Sequence, residues 1–133
     1  MKEDSKKLVE IAKQARAKAS APFSNFKVGA VLVGKTGEIF TGCNIENASY
    51  GLTMCAERVA IFKAISEGAQ NFQKIIVVAD TDELTPPCGA CRQIIWEFCG
   101  DIEIILANLH GKTETFQMKK LFPRAFDANF LEK

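Results

Sequence analysis

Three cysteines and one glutamate are the residues of this chain whose types and spacing could do chemistry. Cys88 and Cys91 lie three positions apart, so on the first turn of a helix both sulfurs can face one side and bind one metal ion. Cys55, in an earlier segment, could supply a third thiolate. Three protein ligands leave the fourth tetrahedral position of Zn²⁺ open for water, as a catalytic zinc site requires. The spacing therefore predicts a zinc site, and an open fourth position would let that zinc activate water.

Two charged residues beside Cys55 are expected to serve this site. Glu57 is two positions from Cys55, a spacing that in an ideal helix places the two side chains on different sides. At the first turn, however, a side chain as long as that of glutamate can reach past the end of the helix. A carboxylate that is not a ligand is the natural general base for a metal-bound water. Three thiolates on Zn²⁺ leave a net charge of −1, which makes bound water less acidic. We expect the Arg58 guanidinium to donate hydrogen bonds to the thiolates, with Arg92 as a second candidate.

The same spacing is compatible with a structural zinc site that has no catalytic role. Structural sites commonly use four cysteines, and Cys43 or Cys99 could supply the fourth thiolate, with Glu57 then a solvated helix residue. Otherwise we expect Cys43 and Cys99 to be small buried hydrophobic residues, and His110 to lie on the surface. Spacing alone leaves both kinds of site open.

The composition is typical of a globular protein that binds neither polynucleotides nor membranes. Of the 133 residues, 47% are hydrophobic and 25% are charged, a balance that suits a core formed without disulfides. The net charge of +1 is too small for the phosphate neutralisation that polynucleotide binding needs. Residues 1–7 are too charged for a signal peptide, and no apolar run is long enough to span a bilayer. Five cysteines, an odd count, favour metal binding over disulfides in a reducing compartment. We expect one cytoplasmic domain over residues 1–133.

Hydrophobic periodicity and turn residues predict how these side chains are positioned. We predict helices at 2–19, 55–67, 88–98 and 119–122, and strands at 26–33, 38–41, 74–79, 102–107 and 113–116. The first two strands should form a hairpin, and the unbroken apolar run at 75–78 is typical of a central strand covered on both faces. Two helices begin at a cysteine, Cys55 and Cys88, where the helix dipole favours thiolates. The order of helices and strands along the chain predicts an α/β fold. We expect a three-layer α/β/α arrangement whose mixed sheet of about five strands has helices on both faces.

The motifs C-A-E at 55–57 and P-C-G-A-C-R at 87–92 resemble those of the cytidine deaminase family, in the form whose zinc ligands are three cysteines. Further segments resemble the small, homotetrameric members that act on free nucleosides: 24–30 (SNFKVGA), 42–50 (GCNIENASY), 121–123 (LFP) and 125–126 (AF). The resemblance covers nearly the whole chain. It implies a cytidine deaminase-like fold and one Zn²⁺ per chain, held by Cys55, Cys88 and Cys91.

The resemblance also implies a reaction of pyrimidine salvage and a role for particular residues. Cytidine and deoxycytidine would be hydrolysed to uridine and deoxyuridine plus ammonia, a zinc-bound hydroxide attacking C4 while Glu57 shuttles the protons. Asn44 and Glu46 would hydrogen-bond the ribose, Phe26 would stack on the pyrimidine, and Glu57 with the Ala56 backbone would meet the base edge. Three residues match positions that approach the active site from neighbouring subunits of a homotetramer: Ala48, Tyr50 and Phe126.

Three other functions remain open from the sequence. The substrate could be a modified nucleoside such as a blasticidin antibiotic, although the ribose-binding element at 44–46 argues against it. It could also be cytosine within a polynucleotide, although the near-neutral charge of the chain argues against that. The third is a zinc-stabilised interaction module without catalysis, which a fourth thiolate on the metal would support and which Glu57 beside three clustered cysteines argues against.

Overall fold

A five-stranded mixed sheet forms the centre of the computed structural model, which describes residues 3–131. The strands are β1 (Val28–Gly34), β2 (Ile39–Cys43), β3 (Phe72–Ala79), β4 (Glu103–Ala107) and β5 (Thr113–Gln117). The helices are α1 (Glu3–Arg16), α2 (Ala56–Ser66), α3 (Gly89–Cys99) and α4 (Met118–Leu121), with 3-10 turns at Tyr50–Leu52 and Ala128–Leu131. The spatial order is β2-β1-β3-β4-β5, so the apolar strand predicted to be central lies at the centre. Strands β3 and β4 run parallel and are joined through α3, whereas the remaining neighbours in the described sheet run antiparallel.

Helices cover both faces of this sheet because successive strand residues point to opposite sides. Helix α1 packs on one face, where its buried residues meet alternate residues of β1, β3 and β4: Leu8, Val9 and Ala12 against Val31, Val33, Ile76, Val78 and Ile105. Helices α2 and α3 pack on the other face, through Ala60, Ile61 and Ile95 against Leu32, Ile75 and Ile104. The predicted three-layer α/β/α fold is confirmed.

Glycine at position 42 lets β2 lie directly against the first turn of α2. A Cβ added at Gly42 would overlap the carbonyl oxygen of Ala56 and lie 2.6 Å from the backbone nitrogen of Ala60, a separation that real Cβ atoms do not show. A larger residue would push α2 away from the sheet. The start of α2, where the predicted metal and acid-base residues lie, is thereby fixed to the sheet.

Several element boundaries differ from the prediction. The backbones of Cys55 and Cys88 are extended, so these residues cap α2 and α3 rather than lying within them. Strand β1 begins at Val28 instead of Phe26. The backbone of these two residues makes hydrogen bonds with the Asn44 side chain, which takes the place of a neighbouring strand. Helix α1 ends at Arg16 rather than at 19, and residue 2 of that predicted helix lies outside the described residues.

None of the helices within 3–131 combines the length and the apolar character needed to cross a bilayer.

Candidate metal centre and its cavity

The fold brings the three predicted cysteine ligands together where α2 and α3 begin. Cys55 precedes the first residue of α2, Cys88 precedes the first residue of α3, and Cys91 lies buried on the first turn of α3. Their sulfur atoms all lie within 4.8 Å of one another, and the sulfurs of Cys55 and Cys88 are 3.9 Å apart. Thiolates on a tetrahedral Zn²⁺ are about 3.8 Å apart at the usual Zn–S distance. The three sulfurs therefore fit one zinc ion.

The surroundings of Cys55 favour its thiolate form. The Arg58 guanidinium donates a hydrogen bond through Nη2 to the Cys55 sulfur, at 3.5 Å. The pKa of Cys55 falls to about 5, first because the Cys91 thiol donates a hydrogen bond to it and also because Arg58 lies beside it. The pKa of Cys91 is raised by that same shared hydrogen bond and by burial. A thiolate at Cys55 is thus already stabilised, and a cation that displaces the Cys91 proton would complete the ligand set.

Arg58 is oriented by the sulfurs rather than by neutral acceptors. Its Nε atom is buried and makes no hydrogen bond with the residues that the structure describes. A buried guanidinium nitrogen without an acceptor is unfavourable unless opposite charge lies close by. The thiolate cluster supplies that charge, which fits a site holding a cation through several thiolates.

Glu57 has the environment of a residue that both takes and gives protons. Glu57 is 5% exposed. Burial raises the pKa of Glu57 to about 7, with a further contribution from the negative charge of Cys55. General acid-base catalysis is most efficient when the pKa lies near the working pH. The carboxyl group is therefore suited to shuttling protons near neutral pH.

A cavity of about 230 Å³ opens directly onto this cluster. Its walls bring together seven of the residues singled out from the sequence: Phe26, Asn44, Glu46, Cys55, Ala56, Glu57 and Cys88. Two carboxyl groups, two thiols of the cysteine cluster and an aromatic ring thus face one small space. The arrangement suits a small polar molecule with a planar ring.

Asn44 builds the wall as well as lining it. Its Oδ1 accepts a hydrogen bond from the Val28 backbone N–H at 2.8 Å, and its Nδ2 donates to the Phe26 carbonyl at 2.7 Å. The side chain, 8% exposed, therefore fixes the backbone on either side of Lys27. This holds Phe26 at the cavity instead of within the sheet.

Three predicted site residues do not reach the cavity of their own chain. Tyr50 is 73% exposed and Phe126 is 54% exposed, and Ala48 is also on the surface. Tyr50 instead lines an adjoining cavity of about 330 Å³ that shares Ser24 and Glu46 with the first. Phe126 stacks on Phe130, with ring centroids 5.7 Å apart.

Arg92, the second candidate for balancing the thiolates, has a different role. Its Nε donates a hydrogen bond to the Pro87 carbonyl at 2.8 Å, and its Nη1 donates to the Leu121 carbonyl at 2.6 Å. The guanidinium therefore ties the C-terminal region to the start of α3. Of these two arginines, Arg58 is the one that donates a hydrogen bond to a cysteine sulfur.

The two remaining cysteines lie apart from the ligands. Cys43 and Cys99, predicted to be buried, are only partly buried: Cys43 is the last residue of the edge strand β2, and Cys99 is the last residue of α3. The ligand cluster found within 3–131 contains Cys55, Cys88 and Cys91 but neither of these. The structure therefore does not support the four-cysteine alternative.

His110 is exposed, as predicted, and its Nε2 lies 3.2 Å from an Asp80 oxygen.

Sequence reasoning missed some residues of the cavity wall. Thr85 and Pro86 line it, and they directly precede the motif at 87–92, so their position in the sequence could have indicated them. Ser24 also lines it, and lies in the segment 24–30 whose phenylalanine alone was assigned a role. Val77 was assigned only to the sheet core, since nothing in a strand sequence shows which end meets a cavity.

Comparison with known proteins gives consistent results. The family model for the cytidine and deoxycytidylate deaminase zinc-binding region matches residues 2–107. A protein of Sporosarcina psychrophila named cytidine deaminase is 50% identical over 124 residues, 92% of this chain and 91% of its own. A protein of the same name from Halalkalibacterium halodurans is 51% identical over 126 residues, 94% of this chain and 96% of its own. The crystal structure of cytidine deaminase from Burkholderia pseudomallei has a TM-score of 0.89 and 47% identity, covering 95% of this chain and 100% of that chain.

Proposed function

Because this chain belongs to the cytidine and deoxycytidylate deaminase family, we propose that it hydrolyses cytidine and deoxycytidine to uridine and deoxyuridine, releasing ammonia. The observation that carries the proposal is the position of Glu57, whose buried carboxyl group lines the same cavity as the thiols of Cys55 and Cys88. An acid-base group beside an open metal position is what hydrolysis needs and a purely structural zinc site does not.

Cys55, Cys88 and Cys91 would hold the metal, and Arg58 would offset their charge. When bound, zinc supplies a Lewis acid that makes water a nucleophile near neutral pH. The cysteine thiols must lose their protons to bind it, and the helix N-termini together with Arg58 favour that loss.

Glu57 would move every proton in the reaction. It takes one proton from the attacking water as the new C4–O bond forms, and passes it to N3 of the ring. It then carries the second proton of that water to the amino group, so that the C4–N bond breaks with ammonia as the leaving group. Water thereby supplies the oxygen of the product and both hydrogens that are transferred.

The rest of the cavity wall would orient the nucleoside. Phe26 would stack on the pyrimidine, and the Ala56 backbone would meet the base edge with Glu57. Asn44 and Glu46, in the same wall, would bind the sugar. Asn44 and Glu46 favour a free nucleoside over a blasticidin-type substrate, and the net charge of +1 favours it over a base within a polynucleotide.

The substrate is tested by following the ultraviolet absorbance of cytidine, deoxycytidine and blasticidin S with purified, zinc-loaded protein. We expect turnover of the first two. Turnover of blasticidin S alone would overturn the assigned substrate while leaving the reaction type in place.

Replacing Arg58 tests the balance of charge at the sulfurs. We expect Arg58→Gln to weaken zinc binding by about 10-fold to 100-fold, since a polar neighbour of the ligands is lost. Competition with a chelating zinc indicator measures this. As a control, Lys63→Gln removes a positive charge from the same helix away from the sulfurs, and should leave zinc affinity within about twofold. Equal zinc affinity in Arg58→Gln and the unaltered protein would contradict the role.

We also propose a homotetramer in which neighbouring chains complete the cavity. The exposed aromatic side chains of Tyr50 and Phe126 support it, because such residues suit contact with another chain. We expect sedimentation equilibrium to give four times the mass of one chain. A monomer mass for the active enzyme would contradict shared sites.

A further inference from the structure

Ser24 is the centre of a hydrogen-bond network that joins two residues of the cavity wall. Its hydroxyl group donates to Oε2 of Glu46 and accepts from the Phe26 backbone N–H at 3.0 Å. Ser24, Phe26 and Glu46 all line the cavity at the metal cluster. One hydroxyl group thus connects the proposed ring-stacking residue with the proposed sugar-binding carboxylate.

The Glu46 carboxylate is held almost entirely by the turn that contains Ser24. Its Oε1 accepts hydrogen bonds from the backbone N–H groups of Phe23 at 2.9 Å and Ser24 at 3.1 Å, and its Oε2 accepts the Ser24 hydroxyl. A carboxylate has about four acceptor positions. Among the described residues these three donors leave one position, on Oε2, for a ligand.

The backbone around Glu46 is fixed independently of Ser24. Its N–H donates to the Ser20 carbonyl at 2.8 Å, and the preceding Ile45 pairs with Met54, next to Cys55. Loss of the Ser24 hydroxyl would therefore leave Oε2 of Glu46 without its donor, while the two backbone hydrogen bonds to Oε1 and the segment that carries Glu46 stay in place.

We propose that Ser24 is a positioning residue, whose hydroxyl aims Glu46 so that Oε2 accepts a hydrogen bond from a sugar hydroxyl of the substrate. The proposal rests on the proposed nucleoside deamination and adds the residue that prepares the sugar site. The same contacts, first the Ser24 hydroxyl and then its backbone N–H, hold the pKa of Glu46 below its usual range. An ionised carboxylate is the stronger acceptor.

The chain contains a matched control for this interaction. In the turn between β1 and β2, the Thr36 hydroxyl and backbone N–H both donate to Oε1 of Glu38. This pair has the same chemistry as Ser24 and Glu46, and these contacts likewise lower the pKa of Glu38, the Thr36 hydroxyl most. It lies outside the cavity wall, so Thr36→Ala should leave catalysis unchanged.

The test compares cytidine with 2′,3′-dideoxycytidine, which lacks the ring hydroxyl groups that Glu46 could bind. We expect Ser24→Ala to lower kcat/KM for cytidine about tenfold, the effect of one hydrogen bond to a charged group. The same substitution should change kcat/KM for the dideoxy substrate less than about twofold, and Ser24→Thr should restore most of the loss because it keeps the hydroxyl. Equal losses for both substrates, or no loss for cytidine, would overturn the proposal.

A second measurement separates this inference from the proposed function. Carbon-13 NMR of labelled glutamate carboxyl groups, with Glu46→Gln to assign the signal, follows the titration of Glu46 without any turnover. We expect the pKa of Glu46 to rise in Ser24→Ala and to stay unchanged in Thr36→Ala. An unchanged titration in Ser24→Ala would overturn the positioning role, whereas an unaltered protein that deaminates neither nucleoside would overturn the function alone.

Discussion

Replacing Glu57 with glutamine should lower kcat for cytidine by about 10⁴-fold, the upper end of what one acid-base group contributes. Glutamine has nearly the same shape but cannot exchange a proton with water, with N3 or with the leaving amino group. We expect a loss at the upper end of that range because one residue, Glu57, carries out every proton transfer of the proposed reaction. Glu57 is 5% exposed in the cavity wall. Steady-state kinetics on the purified variant measures it.

Two controls separate loss of chemistry from loss of the site. Zinc per chain, measured by atomic absorption, should equal that of the unaltered protein, because Glu57 is assigned no bond to the metal. Glu97→Gln alters an exposed carboxylate on α3 and should leave kcat within about twofold, as surface substitutions usually do. A Glu57→Gln variant with undiminished turnover would show that the proton shuttle is another group.

Removing one thiol ligand should abolish both zinc binding and turnover. We expect Cys88→Ala to lose its zinc on dialysis and to lower kcat by about 10³-fold or more, since a bound metal contributes several kcal/mol of transition-state stabilisation. Cys88 is the most suitable of the three for this test because it is exposed, so that its truncation leaves no void in the core. Thermal stability should also fall, because metal binding adds to folding free energy.

Cys99→Ala is the matched control for that experiment. It removes a thiol from the last residue of the same helix, outside the ligand cluster. Zinc content and turnover should match those of the unaltered protein. If Cys88→Ala retained its zinc and its activity, the assigned ligand set would be wrong.

The sequence predicted the sheet well because hydrophobic patterns are local. The unbroken run Ile75–Val78 indicated a strand covered on both faces, and β3 lies at the centre of the sheet. The strand pair joined at 34–37 is the predicted hairpin. The family resemblance is confirmed by the match over residues 2–107. That residues 1–133 form one domain stays a prediction.

The wall of the cavity was less predictable because it depends on contacts between distant segments. The Asn44 side chain replaces a strand partner for Phe26 and Val28, and no local pattern indicates such a contact. Arg58 and Arg92 each lie beside a cysteine in the sequence, but only the folded chain shows that Arg92 bonds the Leu121 carbonyl while Arg58 bonds a sulfur. Ser24 lies in the segment 24–30, yet its role depends on Glu46 being brought beside it by the fold.

We expect one zinc ion and Glu57 together to deaminate a free nucleoside. The most direct test incubates the purified protein, with its zinc content measured in the same sample, with cytidine and quantifies uridine and ammonia. We predict that both products appear in equal amounts, at a rate proportional to the zinc content. A fully zinc-loaded sample that releases neither product from cytidine or deoxycytidine would show that the protein is not a deaminase of these nucleosides.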